Sequence, residues 1–229
     1  MEGEKLVTEI PHSWRICTYV CAESFQYAEA LTRAPVIILS DSRFQSMSDT
    51  VSPQGIMAVC EKRSFTLDDI SGENPFLLIG ERLSDPGNIG TLIRSAAAAG
   101  ASGVILSVGS GDIYNPKVVR AAAGATLRIP IIEGADLLEL IPSLKRQGIA
   151  ILAAHLKGAV LPYEVDLRQS LGILIGNEAS GLSEEISALS TACIKLPMAP
   201  DVESLNASVA GGILLYEVVR QRLKACSFI

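Results

Sequence analysis

Leu77-Leu78-Ile79-Gly80-Glu81-Arg82-Leu83-Ser84-Asp85-Pro86-Gly87-Asn88-Ile89-Gly90-Thr91-Leu92-Ile93-Arg94-Ser95-Ala96 changes its period part-way along. The run from Leu77 to Gly80 is wholly apolar, as in a strand buried on both faces. A turn carrying Pro86 and Gly87 follows. Residues 88–99 then repeat at helical spacing until Gly100 stops the run. A buried strand that ends in a turn and feeds a helix is the opening unit of a parallel α/β sheet.

Towards the carboxyl terminus the alternation repeats. Strands are expected at 103–107, 129–132, 149–153, 172–175 and 193–196, with helices at 116–123, 135–147, 183–189 and 204–224. The fold class is therefore α/β with a mostly parallel sheet. Towards the amino terminus, helical 4–10 and 25–31 alternate with strands at 16–21, 36–39 and 56–60. Residues 1–61 thus read as a smaller α/β domain, 62–73 as a polar linker and 74–229 as the larger domain.

The 229 residues are 48% hydrophobic but only 5% aromatic, so the cores must be built from Ala, Val, Ile and Leu. A net charge of -6 argues against bulk capture of nucleic acid on a basic face. Any RNA contact must come from a few placed cations, and Lys62, Arg63, Arg82, Lys117 and Arg120 lie outside the expected strands. Five cysteines with no C-x-x-C pair read as reduced thiols. The charged amino terminus has no apolar signal core, and no apolar run approaches the roughly 20 residues of a membrane span. A cytoplasmic protein is expected.

Three stretches carry polar residues where an α/β sheet binds ligands. In the first, Asn88 and Arg94 open a helix whose first turn has free N–H groups. Taken singly, they read as an N-cap and a solvated helix residue. The second, Ile175-Gly176-Asn177-Glu178-Ala179-Ser180-Gly181-Leu182, follows an apolar strand, with two glycines around Glu178. The third runs Ile194-Lys195-Leu196-Pro197-Met198, then Ser204-Leu205-Asn206-Ala207-Ser208-Val209-Ala210. Simple N-capping accounts for Ser204 there but not for Asn206 and Ser208 together, since each buried polar group needs a partner. A Gly-rich dinucleotide fingerprint and a P-loop are both missing, which disfavours a nucleotide-dependent oxidoreductase. His12 and His155 have no metal-ligand company, and no metal is expected.

Together the three stretches resemble the signature set of the SpoU/TrmH family of RNA 2'-O-methyltransferases, within the SPOUT superfamily. The match reads Asn88-Ile-Gly-x-x-x-Arg94-x-Ala96, Gly176-x-Glu178-x-x-Gly181-Leu182, and Leu196-Pro197-Met198 through Ser204-Leu205-Asn206-x-Ser208-x-Ala210. It covers roughly residues 73–224. Residues 1–61 resemble the L30e-like RNA-binding module of rRNA-methylating members. That match rests on Glu2-Gly3-x-x-Leu6-Val7-x-Glu9, and on Leu39-Ser40-Asp41 through Ser48-Asp49-Thr50-Val51-Ser52-Pro53-Gln54-Gly55-Ile56-x-Ala58-Val59. In such relatives a helix and a strand precede the Glu-Gly pair, so a shortened first domain is expected.

The resemblance implies a deep trefoil knot in the catalytic domain, a homodimer, and S-adenosylmethionine held bent by the knot loops. Carried over, Gly176, Leu196, Leu205 and Asn206 would contact the cofactor. Ala154, in Ala153-Ala154-His155-Leu156, would belong to an additional adenosine-contacting segment. Arg94, Asn88, Glu178, Ser204 and Asn206 would form the catalytic set. A guanidinium with a pKa above about 12 is a poor base, so Arg94 is expected to clamp a phosphate and stabilise the developing alkoxide. Whether Arg94 and Asn88 serve their own chain's site or a partner's is left open. The two-domain layout favours rRNA as substrate. A tRNA substrate, or a non-catalytic RNA-binding adaptor on the same fold, are the alternatives.

Overall fold

The computed structural model describes residues 1–26, 28–156 and 160–226. The chain divides into two compact units, Met1–Ser64 and Phe65–Ile229.

The first unit contains α1 (Glu4–Thr8), β1 (Ile16–Ala22), β2 (Val36–Leu39), α2 (Asp41–Met47) and β3 (Ile56–Cys60). β1 is central, parallel to β2 and antiparallel to β3. Phe44 of α2 packs against Val20 and Ala22 of β1. The sequence gives no warning of α2, because Phe44 is its one buried residue and a single anchor sets up no period. The helix expected at 25–31 is, among the described residues, only a 3-10 turn at Ala28–Ala30. None of its three residues is buried, and a helix that short is marginal without a packed face.

The second unit contains α3 (Leu67–Ile70), β4 (Phe76–Gly80), α4 (Pro86–Ala98), β5 (Gly103–Ser107), α5 (Pro116–Ala122), β6 (Ile131–Ala135), α6 (Leu137–Arg146), β7 (Ala150–Ala154), β8 (Leu171–Ile175), α7 (Glu184–Leu189), β9 (Ala192–Ile194) and α8 (Ala207–Cys226). The strands run in the order β6-β5-β4-β8-β7-β9, and each described pairing between them is parallel. Every residue of β4, β5 and β8 is buried. One face of the sheet packs on Leu92 and Ile93 of α4 and Leu214 and Leu215 of α8. The other face packs on Leu137, Ile141 and Leu144 of α6 and on Ile70 of α3. The polar stretch 62–73 therefore includes a short helix whose Ile70 is buried in the second unit's core.

α4 and α8 lie in close contact. A Cβ on Gly211 would stand 2.4 Å from Leu92 Cδ2, so a larger residue there would force Leu92 to shift. Several boundaries move by a residue or more. β6 takes Ala135, and the Asp136 side chain caps α6 by accepting the Leu138 N–H at 2.9 Å. The last helix begins at Ala207, not at Ser204, because Asn206 is its cap: Asn206 Oδ1 accepts the N–H groups of Ser208 at 2.9 Å and Val209 at 3.2 Å. Among the described residues no helix is long and apolar enough to cross a membrane.

Candidate functional site

The site is built at the carboxyl ends of β4, β7, β8 and β9, within the second unit. β8 stops at Ile175, and a Cβ on Gly176 would lie 2.3 Å from both the Gly181 carbonyl carbon and the Leu182 nitrogen. Glycine at 176 lets the loop fold back on itself. Asn177 and Gly181 then exchange N–H to carbonyl bonds of 3.1 and 2.9 Å, and Asn177 Oδ1 accepts the N–H groups of Ala179 and Ser180.

This narrow loop presents Glu178 to the segment between β4 and α4. The carboxylate accepts the Ser84 N–H at 3.2 Å, the Ser84 hydroxyl at 3.0 Å, the Asp85 N–H at 3.1 Å and Asn88 Nδ2 at 3.2 Å. Burial raises its pKa. Bonds from its own N–H, from the Ser84 and Asp85 N–H groups and from the Asn88 amide outweigh that, and hold it below the ordinary carboxylate range.

Asn88 is buried and does not cap α4; Asp85 does, accepting the Asn88 N–H at 2.8 Å. The Asn88 side chain is a link instead. It donates to Glu178, and its Oδ1 accepts Asn206 Nδ2 at 2.8 Å. Asn206 is held in turn by the Ser208 hydroxyl, which donates to its Oδ1 at 2.7 Å. One line of side-chain hydrogen bonds, Glu178–Asn88–Asn206, thus joins all three sequence motifs.

Beside it lies a cavity of about 420 Å³, lined from β7 and its loop by Ala154 and Leu156, from the β8 loop by Gly176 and Glu178, from the β9 loop by Leu196 and Met198, and by Ser204, Leu205 and α8 residues Ala210 and Leu214. The expected cofactor residues Ala154, Gly176, Leu196 and Leu205 all line it, as do Ser204 and Glu178. Asn88 and Asn206 stand behind the wall. Arg94 is not brought to it: the residue is exposed on α4, and its guanidinium has no hydrogen-bond or ion-pair partner among the described residues. The cavity falls within the roughly 300–1,000 Å³ of small-molecule sites. Its apolar walls suit the faces of an aromatic base such as the adenine of S-adenosylmethionine. A cavity of about 490 Å³ in the first unit, lined by Phe25, Asp41 and Gln54 among others, contains none of the residues of the three second-unit motifs.

Two residues of this architecture escape sequence reasoning. Glu81, buried at the end of β4, accepts the Ser183 N–H at 2.9 Å and ties α7 to the central strand. Asn177 Nδ2 donates to the Arg82 carbonyl at 2.8 Å. The one available signal was an acidic residue following directly on an apolar strand.

Comparison with known proteins agrees with this geometry. Residues 75–216 match the SpoU rRNA Methylase family, and residues 3–66 match the family described as RNA 2'-O ribose methyltransferase substrate binding. The chain is 30% identical over 220 residues to the 23S rRNA (guanosine(2553)-2'-O)-methyltransferase RlmP of Bacillus subtilis, covering 95% of this chain and 87% of that protein. Among solved structures, it resembles the SpoU methyltransferase AviRb of Streptomyces viridochromogenes in complex with the cofactor AdoMet, with a TM-score of 0.90 at 28% identity over 97% of this chain and 89% of that one. An AdoMet-bound rRNA methyltransferase from Sinorhizobium meliloti gives a TM-score of 0.87 at 31% identity over 96% and 86%.

Proposed function

The chain belongs to the SpoU rRNA methylase family, and from that premise we propose that it transfers a methyl group from S-adenosylmethionine to a ribose 2'-hydroxyl of ribosomal RNA in the cytoplasm. The observation that carries the proposal is the Glu178–Asn88–Asn206 line, which fixes three loops around one nucleoside-sized cavity. The rRNA substrate is supported by a relative matched over 95% of the chain that acts on 23S rRNA. RNA capture is assigned to residues 1–61, with 62–73 joining them to the catalytic domain 74–229. A trefoil knot is assigned to that domain from the family it belongs to.

Bound S-adenosylmethionine supplies a methyl group already activated on a sulfonium. Ala154, Gly176, Leu196 and Leu205 hold the cofactor, largely through main chain and apolar walls. Asn206 acts from behind, fixing Leu205 by capping α8. Glu178 and Asn88 keep the loops at the spacing an in-line approach needs. Ser204, in the cavity wall, orients the nucleotide. Arg94 clamps a phosphate and stabilises charge on the 2'-oxygen as its proton passes to water.

Arg94 is exposed and does not line its own cavity, so we assign it to the site of a second copy in a homodimer. The outer face of α8 supports this, since Val209, Ile213 and Tyr216 follow one another at helical spacing and are 49%, 43% and 52% exposed beside α4.

The reaction is tested by incubating the protein with labelled S-adenosylmethionine and 23S rRNA, then digesting to nucleosides. Label is expected on a 2'-O-methylnucleoside, and a matched oligonucleotide lacking the target 2'-hydroxyl should take none. Label on a base would contradict the proposal.

A further inference from the structure

Arg82, just beyond the end of β4, has φ +49. Among the described residues the one other non-glycine at positive φ is Ala123, which ends α5 in the left-handed conformation usual for a helix stop. Arg82 stops no helix. Two hydrogen bonds pin its backbone: its N–H donates to Ser107 Oγ at 2.8 Å, and its carbonyl accepts Asn177 Nδ2 at 2.8 Å. Both use main-chain atoms that glycine would supply equally well, and without the crowding a side chain suffers there. The pins therefore account for the bend but not for an arginine in it.

The guanidinium is exposed, with no hydrogen-bond or ion-pair partner among the described residues. Arg94 is likewise without such a partner among the described residues, whereas Arg168 is engaged with Asp166, Arg220 with Glu217, and Arg222 with the carbonyls of Asn74 and Gln169. Arg82 also stands next to the catalytic architecture. Asn177, which holds its carbonyl, lines the cofactor cavity, and two residues on, Ser84 holds Glu178. Its stem passes the β5–α5 loop, where a Cβ on Gly109 would stand 3.7 Å from Arg82 Cγ.

We propose that Arg82 binds a backbone phosphate of the RNA substrate, the left-handed bend serving to aim its guanidinium off the carboxyl edge of the sheet beside the cofactor cavity. A guanidinium fork matches phosphate in geometry and charge, and phosphate contacts set the position of a strand without reading its sequence. Retained backbone strain at a site edge, with nothing inside the chain requiring the side chain, is the pattern of a residue kept for a ligand. The inference rests on RNA being the substrate.

The test compares Arg82→Gly and Arg82→Lys with the wild type. Thermal melting and S-adenosylmethionine affinity are measured, together with filter binding to deproteinised 23S rRNA over a range of salt. Arg82→Gly should melt no lower than wild type and bind the cofactor equally. Its rRNA affinity should fall roughly tenfold near physiological salt, with a salt slope shallower by about one. Arg82→Lys should keep the slope. Unchanged rRNA affinity and slope in Arg82→Gly would overturn the assignment, and so would loss of melting temperature or cofactor binding, which would mark a loop-shaping residue. Binding is read without turnover, so these outcomes stand apart from the functional reading, which fails if wild-type protein puts no methyl on ribose.

Discussion

Where the β8 loop meets the starts of α4 and α8, Glu178, Asn88, Asn177 and Asn206 all have hydrogen-bonded partners inside the chain. On the outer faces of α4 and α8 the picture is reversed: Arg94 has no partner among the described residues, and Val209, Ile213 and Tyr216 lie open. The first region is finished by folding. The second carries a charge and apolar area that the chain itself does not cover. Under the proposed homodimer, the difference separates cofactor binding, which one chain completes, from methyl transfer, which needs a second.

The largest expected effect falls on the open region. Arg94→Ala should lower turnover roughly 10²–10³-fold, as loss of a charge-stabilising donor does elsewhere, in steady-state methylation assays. Its melting temperature and calorimetric cofactor affinity should match wild type, because the guanidinium holds nothing in the fold. A variant that unfolds early would place Arg94 with the finished region and dissolve the contrast.

The next effect falls on the finished region. Glu178→Ala leaves the donors of Ser84, Asp85 and Asn88 without their acceptor, at a cost of about 1–3 kcal/mol in urea unfolding, water replacing part of the loss. Glu178 also gives a pH signature. Its pKa is depressed on folding, so its contribution is complete above the unfolded carboxylate pKa and is lost as pH falls through the lower folded value. Stability measured down the acid limb should show this decline in wild type and lack that portion in Glu178→Gln.

The smallest is Asn206→Ala, which removes the cap of α8 and the link to Asn88 and should cost about 1 kcal/mol. Cofactor affinity should weaken with it, since Leu205 sits between the cap and the cavity. Unaltered affinity would show that the line of side chains stabilises the loops without shaping the site.

Much of this contrast could be read before the structure. β4, β5 and β8 are buried at every residue and so appear as plain apolar runs, with Pro86 and Gly100 bounding the helix between the first two. The second and third motifs contain the wall residues Gly176, Leu196, Ser204 and Leu205, and the family resemblance adds Ala154. What stayed hidden depended on contacts distant in sequence or on too little burial. Glu81 meets Ser183 across 102 positions and Asn177 meets Arg82 across 95, and no local period encodes either pairing. α2 has one buried residue, and Asn206 was read as a residue within the last helix because Ser204 looked like its start. The direction of Arg94 was hidden for another reason: helical spacing tells which residues share a face, not what that face meets.

The most direct test of a site completed by two chains mixes two disabled variants. Arg94→Ala keeps the cofactor cavity, while Leu205→Trp blocks it and keeps Arg94. Each alone should be nearly inactive while remaining a dimer by light scattering. After mixing and exchange of subunits, a cavity from one variant meets Arg94 from the other in one site of each mixed dimer, and activity should return to about a quarter of wild type. A mixture as inactive as its parents, with mixed dimers demonstrated, would place Arg94 in the site of its own chain and contradict the account.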